Sequence, residues 1–118
     1  MKLDILAVGA HPDDVELSCG ATLAKEVANG KKVGVLDLTR GELGTRGSAE
    51  LRDKEAADAA KILGLSVREN IALEDGFFQN DKESQLKIIQ ILRNTSQKLF
   101  CVMPLTIVIL ITAKAANL

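Results

Sequence analysis

The sequence is poor in aromatic residues, histidine and cysteine. Among its 118 residues there is no Trp or Tyr, Phe occurs three times, and the single histidine is His11. The core must therefore be mainly aliphatic, and a hydrophobic content of 47% is enough to build one. Cys19 and Cys101 are too few for a disulfide framework, and a reduced cytoplasm is the simplest compartment.

The sequence also has no large excess of positive or negative charge. Fifteen basic and 16 acidic residues leave a net charge of −1, which favours neither nucleic acid nor an anionic membrane as a partner. No signal peptide is evident, because Asp4 places a charge where its apolar region would begin. The longest apolar run, 99–112, is too short to cross a bilayer. We therefore expect one small domain with a small-molecule partner, and a homo-oligomer stays open.

Strand and helix patterns alternate along the chain. Apolar runs at 3–8, 32–38 and 67–73 predict strands, separated by helices at 17–29 and about 48–63. Crossovers of helix length connect parallel strands in right-handed βαβ units. The predicted fold is α/β, a Rossmann-like, mainly parallel sheet flanked by helices.

Local signals predict the helix boundaries and one buried face. Ser48 is a candidate cap for the second helix, Gly64 a candidate end, and Asn80 or Asp81 starts the third. Asn80 with Glu83 resembles a capping box. In the first helix, the positions at helical spacing that we expect to form the apolar face are Leu17, Ala21, Ala24 and Ala28.

The chemically reactive side chains cluster directly after the first predicted strand. His11, Asp13 and Asp14 lie at its carboxyl end, where open α/β sheets bind ligands. Pro12 restricts His11 to extended backbone, so that His11 and Asp14 can face one point while Asp13 points elsewhere. His and Asp suit zinc or another borderline divalent metal, and the spare carboxylate suits a general base. A solvated surface turn is the alternative interpretation.

Two later segments also follow strand ends. The loop 39–47 contains three glycines together with Glu42 and Arg46, and it fits either a ligand-facing loop or a solvated one. Arg52 can face a ligand or pair with Glu55 one turn away. Asp75, in an Asp-Gly turn signal, fits either a turn or a site.

Several of these motifs together resemble one family. Ala-His-Pro-Asp-Asp at 10–14 with the segment 15–23, the loop 39–47 and Arg-Asp-Lys-Glu-Ala at 52–56 are similar to the LmbE-like (PIG-L) family of zinc-dependent N-acetylglucosamine deacetylases. Within that family the bacillithiol biosynthesis deacetylases are the most alike. The likeness runs from about residue 3 to Arg93, and several motifs in the same order make it specific.

The resemblance implies a metal-dependent hydrolase that removes the N-acetyl group from an N-acetylglucosamine derivative. In the bacillithiol pathway that substrate is N-acetylglucosaminyl malate. Zn²⁺ would be held by His11, Asp14 and a later His, and Asp13 would act as the general base. The residues that the resemblance brings to the substrate are Glu42, Arg46, Arg52 and Asp75.

Two other functional hypotheses remain from the sequence. The resemblance implies that about half of the family fold is missing from 118 residues, so the chain could be a truncated, catalytically inactive part of the domain. A Rossmann-type sugar- or nucleotide-binding module is the second alternative. It is disfavoured because His-Pro-Asp-Asp stands where a dinucleotide binder needs a glycine-rich turn.

The segment after Arg93 breaks the pattern. No Asp or Glu follows Glu83, and the segment 99–112 is almost wholly apolar around Pro104, as in one or two buried strands. Codons read one base back permit the motif Asp-Asp-Arg-His-x-Asp-His, with its ligand His at the position of Thr112. We therefore expect residues 94–112 to be a frame-shifted reading, and the third zinc ligand to be absent from this chain.

Overall fold

The computed structural model describes residues 2–44, 47–79 and 81–95, and the backbone of 99–102. Within them the elements are β1 (Ile5–Gly9), α1 (Asp14–Ala28), β2 (Val33–Thr39), α2 (Ala49–Leu63), β3 (Val67–Leu73), α3 (Lys82–Thr95) and β4 (Leu99–Val102). The expectations for Arg46, for Asn80 and for the segment from 103 to Thr112 lie outside the described residues.

The described strands form one parallel sheet in the order β3-β2-β1-β4. The predicted α/β class and the parallel neighbours at 3–8, 32–38 and 67–73 are confirmed. In chain order, β2 and β3 are added on one side of β1, and β4 is then added on the other side of β1. A topological switch point therefore lies between β1 and β4, and the segment beginning at His11 leaves the sheet beside it.

Helices cover both faces of the sheet. On one face, Ile88 and Leu92 of α3 pack with residues such as Leu6 and Leu36 of the central strands. On the other face, Val15 and Leu23 of α1 pack against apolar residues of β1 and β2. All residues of β1 and β2 are buried, as expected for central parallel strands between two helical layers.

The predicted start and apolar face of α1 are wrong. The helix begins at Asp14 rather than Leu17, and Leu17 is 83% exposed. The buried residues are instead Val15, Gly20 and Leu23. The helix is broken at Cys19, whose φ of −145° and ψ of 19° are not helical. The residues that pack on the sheet are nevertheless spaced by four, at Val15, Cys19, Leu23 and Val27, and Leu17 lies on a different face.

The boundaries of the other helices agree better with the sequence. The Ser48 side chain accepts a hydrogen bond from the Leu51 N–H, and α2 ends at Gly64, which has a φ of 74°. At α3, Asp81 acts as the cap, because its Oδ1 accepts the Ser84 N–H at 2.8 Å. No helix in the described part of the chain has the length and apolarity that a membrane span requires.

Candidate active site

The end of β2 holds the start of the turn that carries His11. The Thr39 N–H and the Thr39 hydroxyl both donate to the Ala10 carbonyl at 2.9 Å. Thr39 Oγ1 also accepts the Gly41 N–H at 3.2 Å. Because Thr39 is fully buried, these bonds are shielded from water and fix the two loops relative to each other.

The side chains of His11 and Asp14, which the sequence predicts to face one point, lie next to each other. The His11 N–H donates to Asp14 Oδ2 at 2.9 Å, and the His11 Nδ1 atom lies 3.5 Å from the same oxygen. The His11 side chain is 42% exposed, so the imidazole borders an open space. The turn thus presents a nitrogen donor and a carboxylate donor side by side.

Asp75 joins this site from the end of β3. Its Oδ1 lies 2.7 Å from His11 Nε2, its Oδ2 accepts the Leu43 N–H at 3.0 Å, and its own N–H donates to Glu42 Oε2 at 2.9 Å. Burial raises the pKa of Asp75, but the hydrogen bonds from Leu43 and His11 lower it more, so the pKa lies below its ordinary value. The carboxylate therefore stays charged and connects three loops.

Asp13 points away from His11, towards α2. Its backbone has a φ of 106°, in the left-handed half of the map, and its side chain makes no capping bond to α1. The Asp13 carboxylate is 57% exposed and lies 3.7 Å from the Arg52 guanidinium. A carboxylate that is not used to cap its helix is available for other chemistry.

Arg52 faces the site. Its guanidinium donates to the Pro12 carbonyl at 3.3 Å and to the Gly41 carbonyl at 3.5 Å. A Cβ atom on Gly41 would lie only 2.8 Å from this guanidinium, so glycine is required for the approach. Of the two sequence interpretations, the structure places Arg52 against the site loops.

The donor set is incomplete for a catalytic zinc site. No group of three or more His, Cys, Asp or Glu residues that could hold a metal occurs among the described residues. His11 and Asp14 supply two donors, whereas catalytic zinc sites use three protein ligands. The position expected for a third ligand, Thr112, lies outside the described residues.

A cavity of about 550 Å³ adjoins these residues between α1 and α2. Asp13, Glu16 and Arg52 form part of its polar wall, and Leu51, Ala56 and Ala59 form part of its apolar wall. The cavity can therefore admit a ligand that has both polar and apolar surface directly beside Asp13.

Sequence reasoning missed a buried charge cluster next to this cavity. We call Arg68, Asp37 and Glu16 the Arg68 cluster. Arg68 binds both carboxylate oxygens of Asp37, at 2.8 and 3.0 Å, and one carboxylate oxygen of Glu16, at 3.1 Å. The available signal was Asp37 within the predicted strand 32–38 and Arg68 within 67–73, because a charge buried in a sheet needs a partner.

The fold and the arrangement of site residues define a parallel α/β protein with a His-Asp-Asp turn at its switch point. A sequence model of the PIG-L family, described as GlcNAc-PI de-N-acetylase, matches residues 6–111. The chain belongs to the PIG-L family. The match extends past Arg93, where the likeness of the individual motifs stops.

Known proteins support this assignment. The chain is 48% identical over 60 residues to the uncharacterized deacetylase YaiS of Escherichia coli K12, a match that covers 51% of this chain and 32% of YaiS. Its fold matches that of the conserved protein TT1542 from Thermus thermophilus, with a TM-score of 0.78 and 48% identity over 83% of this chain and 44% of TT1542.

A second solved structure is an N,N'-diacetylchitobiose deacetylase. The enzyme, from Pyrococcus horikoshii and in complex with its inhibitor MPG, matches with a TM-score of 0.72 and 28% identity, over 76% of this chain and 36% of the enzyme. The chain therefore spans about a third of YaiS and less than half of each of these solved chains.

Proposed function

We propose that this chain contributes to a hydrolase that removes the N-acetyl group from a derivative of N-acetylglucosamine. The observation that carries the proposal is the His-Pro-Asp-Asp turn. It leaves the sheet at the switch point, and its His11 and Asp14 face each other while Asp13 faces Arg52. Membership in the PIG-L family and the similarity to the two deacetylases named above favour amide hydrolysis over other uses of such a turn.

In this proposal Asp13 is the general base. It takes a proton from the attacking water and returns it to the leaving amine, which yields acetate and a free amino sugar. The exposed carboxylate on the wall of the cavity can reach a bound ligand without leaving its place. Arg52 lies next to Asp13, and its guanidinium can hold that carboxylate in a fixed orientation towards the cavity.

His11 and Asp14 are the proposed ligands of a divalent metal, which we propose to be Zn²⁺. A metal of this kind polarises an amide carbonyl and so favours attack on it. Because the described residues supply two donors, a third must come from elsewhere in the active protein, and the position of Thr112 is the one that the sequence indicates.

The remaining candidate residues are proposed to lie against the sugar. Arg52 and Arg46 provide hydrogen-bond donors for hydroxyl or carboxylate groups. The Glu42 carboxylate accepts the Asp75 N–H, and this hydrogen bond connects their two loops at the rim of the site. We propose N-acetylglucosaminyl malate as the substrate and the cytoplasm as the compartment.

An assay of amine release tests the proposal. The chain, and a restored version that carries the restored reading of 94–112 and is extended to the full length of its relatives, are incubated with Zn²⁺ and either N-acetylglucosaminyl malate or N,N'-diacetylchitobiose, and free amine and acetate are measured. We expect release by the restored version and preference for the malate conjugate. An active restored version beside an inactive original identifies the original as a dead fragment.

Two outcomes contradict the proposal. Absence of release from both N-acetyl sugars by the restored version, shown to be folded and metal-loaded, rules out the deacetylase. Tight binding of a dinucleotide without hydrolysis favours the binding-module hypothesis instead.

A further inference from the structure

The first piece of α1 is separated from the rest of the helix. The break at Cys19 divides α1 into a short N-terminal segment, residues 14–18, and a longer one that starts at Gly20. The short segment begins with Asp14 and follows directly on Asp13, so its orientation decides where both carboxylates lie. Because the break uncouples it from the longer piece, the short segment needs anchors of its own.

One anchor is apolar. Val15 is 1% exposed and packs in the core between α1 and the sheet. The segment approaches the end of β1 closely, since a Cβ on Gly9 would lie 3.0 Å from the Asp14 Cβ. Apolar contact holds the segment against the sheet, but it is non-directional and leaves rotation about that contact free.

The second anchor is directional. Glu16 Oε1 accepts a hydrogen bond from the Arg68 Nη2 atom at 3.1 Å, and the Arg68 side chain is only 7% exposed. The guanidinium is itself fixed, because Asp37 on β2 binds its Nε and Nη2 atoms and the Ala56 carbonyl of α2 accepts from its Nη1 at 3.5 Å. Arg68 therefore ties α1 to β2, β3 and α2 through a planar group of fixed geometry.

We propose that Arg68, acting through Glu16, is a positioning residue for the turn that carries Asp13 and Asp14. It touches neither a ligand nor the reacting atoms. It sets the rotation of residues 14–18 and so holds the Asp13 carboxylate beside the cavity and the Asp14 carboxylate beside His11. The catalytic meaning of this role rests on the proposed function, whereas the structural role can be measured without any activity.

Hydrogen exchange at three reporter amides tests the structural role. The His11 N–H donates to Asp14 Oδ2, the Asp14 N–H to the His11 carbonyl, and the Leu17 N–H to the Asp13 carbonyl. Glu16→Gln leaves Arg68 only a neutral acceptor at position 16, and Arg68→Lys replaces the planar guanidinium by a single ammonium, so the weakened contact should speed exchange at the three amides about tenfold or more. Amides of residues 21–28 and of β1 should keep their rates.

The matched control is Arg40→Gln. Arg40 binds Asp53 of α2 through two nitrogens, at 2.6 and 3.1 Å, so the control also removes one arginine charge and one tie to α2 but leaves α1 alone. If Arg68→Lys fails to fold, Glu16→Gln still decides, because the Glu16 carboxylate is 24% exposed and the Asp37 pair stays intact.

The outcomes separate the two proposals. Unchanged reporter amides in Glu16→Gln, or an equal increase along the whole of α1 or in Arg40→Gln, overturn the positioning role. In an active version, Glu16→Gln should lower kcat at least tenfold with KM nearly unchanged, and the effects of Glu16→Gln and Arg68→Lys should not add. Faster reporter exchange in a full-length restored version that releases no amine supports the positioning role and contradicts the deacetylase.

Discussion

His11 and Asp75 are 64 residues apart in the sequence, and their side chains meet at 2.7 Å. The contact joins the loop after β1 to the loop after β3, across the intervening end of β2. A carboxylate at this distance restricts the rotation of the imidazole and favours one of its tautomers. Asp75 therefore determines which way His11 presents its other ring nitrogen.

Replacing Asp75 should destabilise the fold in a pH-dependent way. The pKa of Asp75 is lowered in the folded chain from its ordinary value of 3.8. Ionised Asp75 thus adds stability that is fully present above pH 3.8 and is lost as the pH falls through the lower, folded-state pKa. Urea unfolding of the wild type and Asp75→Asn from pH 6 to 2.5 should show a gap that narrows below pH 3.8.

The control for that measurement is Asp58→Asn, an exposed carboxylate on α2. Its unfolding curve should follow the wild type over the whole range. A gap between the wild type and Asp75→Asn that stays constant down to pH 2.5 contradicts the assigned role of the charge.

Asp13→Asn should abolish most of the proposed activity without disturbing the fold. Asn tolerates a positive φ, as required by the 106° at this position, so thermal unfolding should be little changed. General acid–base catalysis contributes roughly a hundred- to ten-thousand-fold, and kcat of an active version should fall by about that factor. Rates of amine release, with metal content checked in the same samples, measure this. An undiminished rate excludes Asp13 as the base.

Gly41→Ala should move Arg52. Alanine at this position has to adopt a φ of 67°, and its Cβ meets the Arg52 guanidinium at 2.8 Å. Gly30→Ala is a matched control, because Gly30 has a φ of 84° but no atom within 4 Å of the added Cβ. Both variants should lose about 1–2 kcal/mol of unfolding free energy from backbone strain, and only Gly41→Ala should raise KM. Equal KM values for the two variants speak against a role of Arg52 at the substrate.

Zinc should bind weakly to the chain as it stands. His11 and Asp14 provide two of the three protein ligands that a catalytic site needs. Elemental analysis after dialysis should therefore find little zinc in this chain, and more in Thr112→His. Stoichiometric zinc in the unaltered chain would show that a different residue, such as Asp75 or Cys101, completes the site.

The coding DNA should show a shifted frame between codons 94 and 112. We expect that a single-base correction near codon 94, with a compensating one near codon 113, restores Asp-Asp-Arg-His-x-Asp-His. Such a shift would exchange a metal-binding loop for the apolar segment Thr-Ile-Val-Ile-Leu-Ile-Thr, a composition without zinc ligands that favours aggregation. Sequencing the DNA decides this, and a reading frame in which no such pair of changes restores the motif refutes it.

The fold class and the position of the candidate site could be predicted from the sequence alone. Strand and helix boundaries agree within about one to three residues, because burial of central strands and glycine or serine at helix ends are local signals. The rules for βαβ connections then predicted parallel strands with His11 at a strand end, and the strands are parallel in the structure. Pro12 led to the prediction that His11 and Asp14 face one point, and the structure brings His11 Nδ1 and Asp14 Oδ2 to 3.5 Å from each other.

The contacts between side chains that are distant in the sequence could be seen only in the tertiary structure. The Asp75–His11 contact depends on the order of three strands and on two loops, and Arg68 reaches Glu16 because β3 and α1 are brought together across β2. The break at Cys19 has no signature in the hydrophobic period, although the buried face of α1 keeps a four-residue spacing across it, from Val15 to Leu23 and Val27. The spacing of apolar residues indicates which face of a single helix or strand is buried. A directional contact between two elements depends in addition on the twist and register of the sheet that carries them.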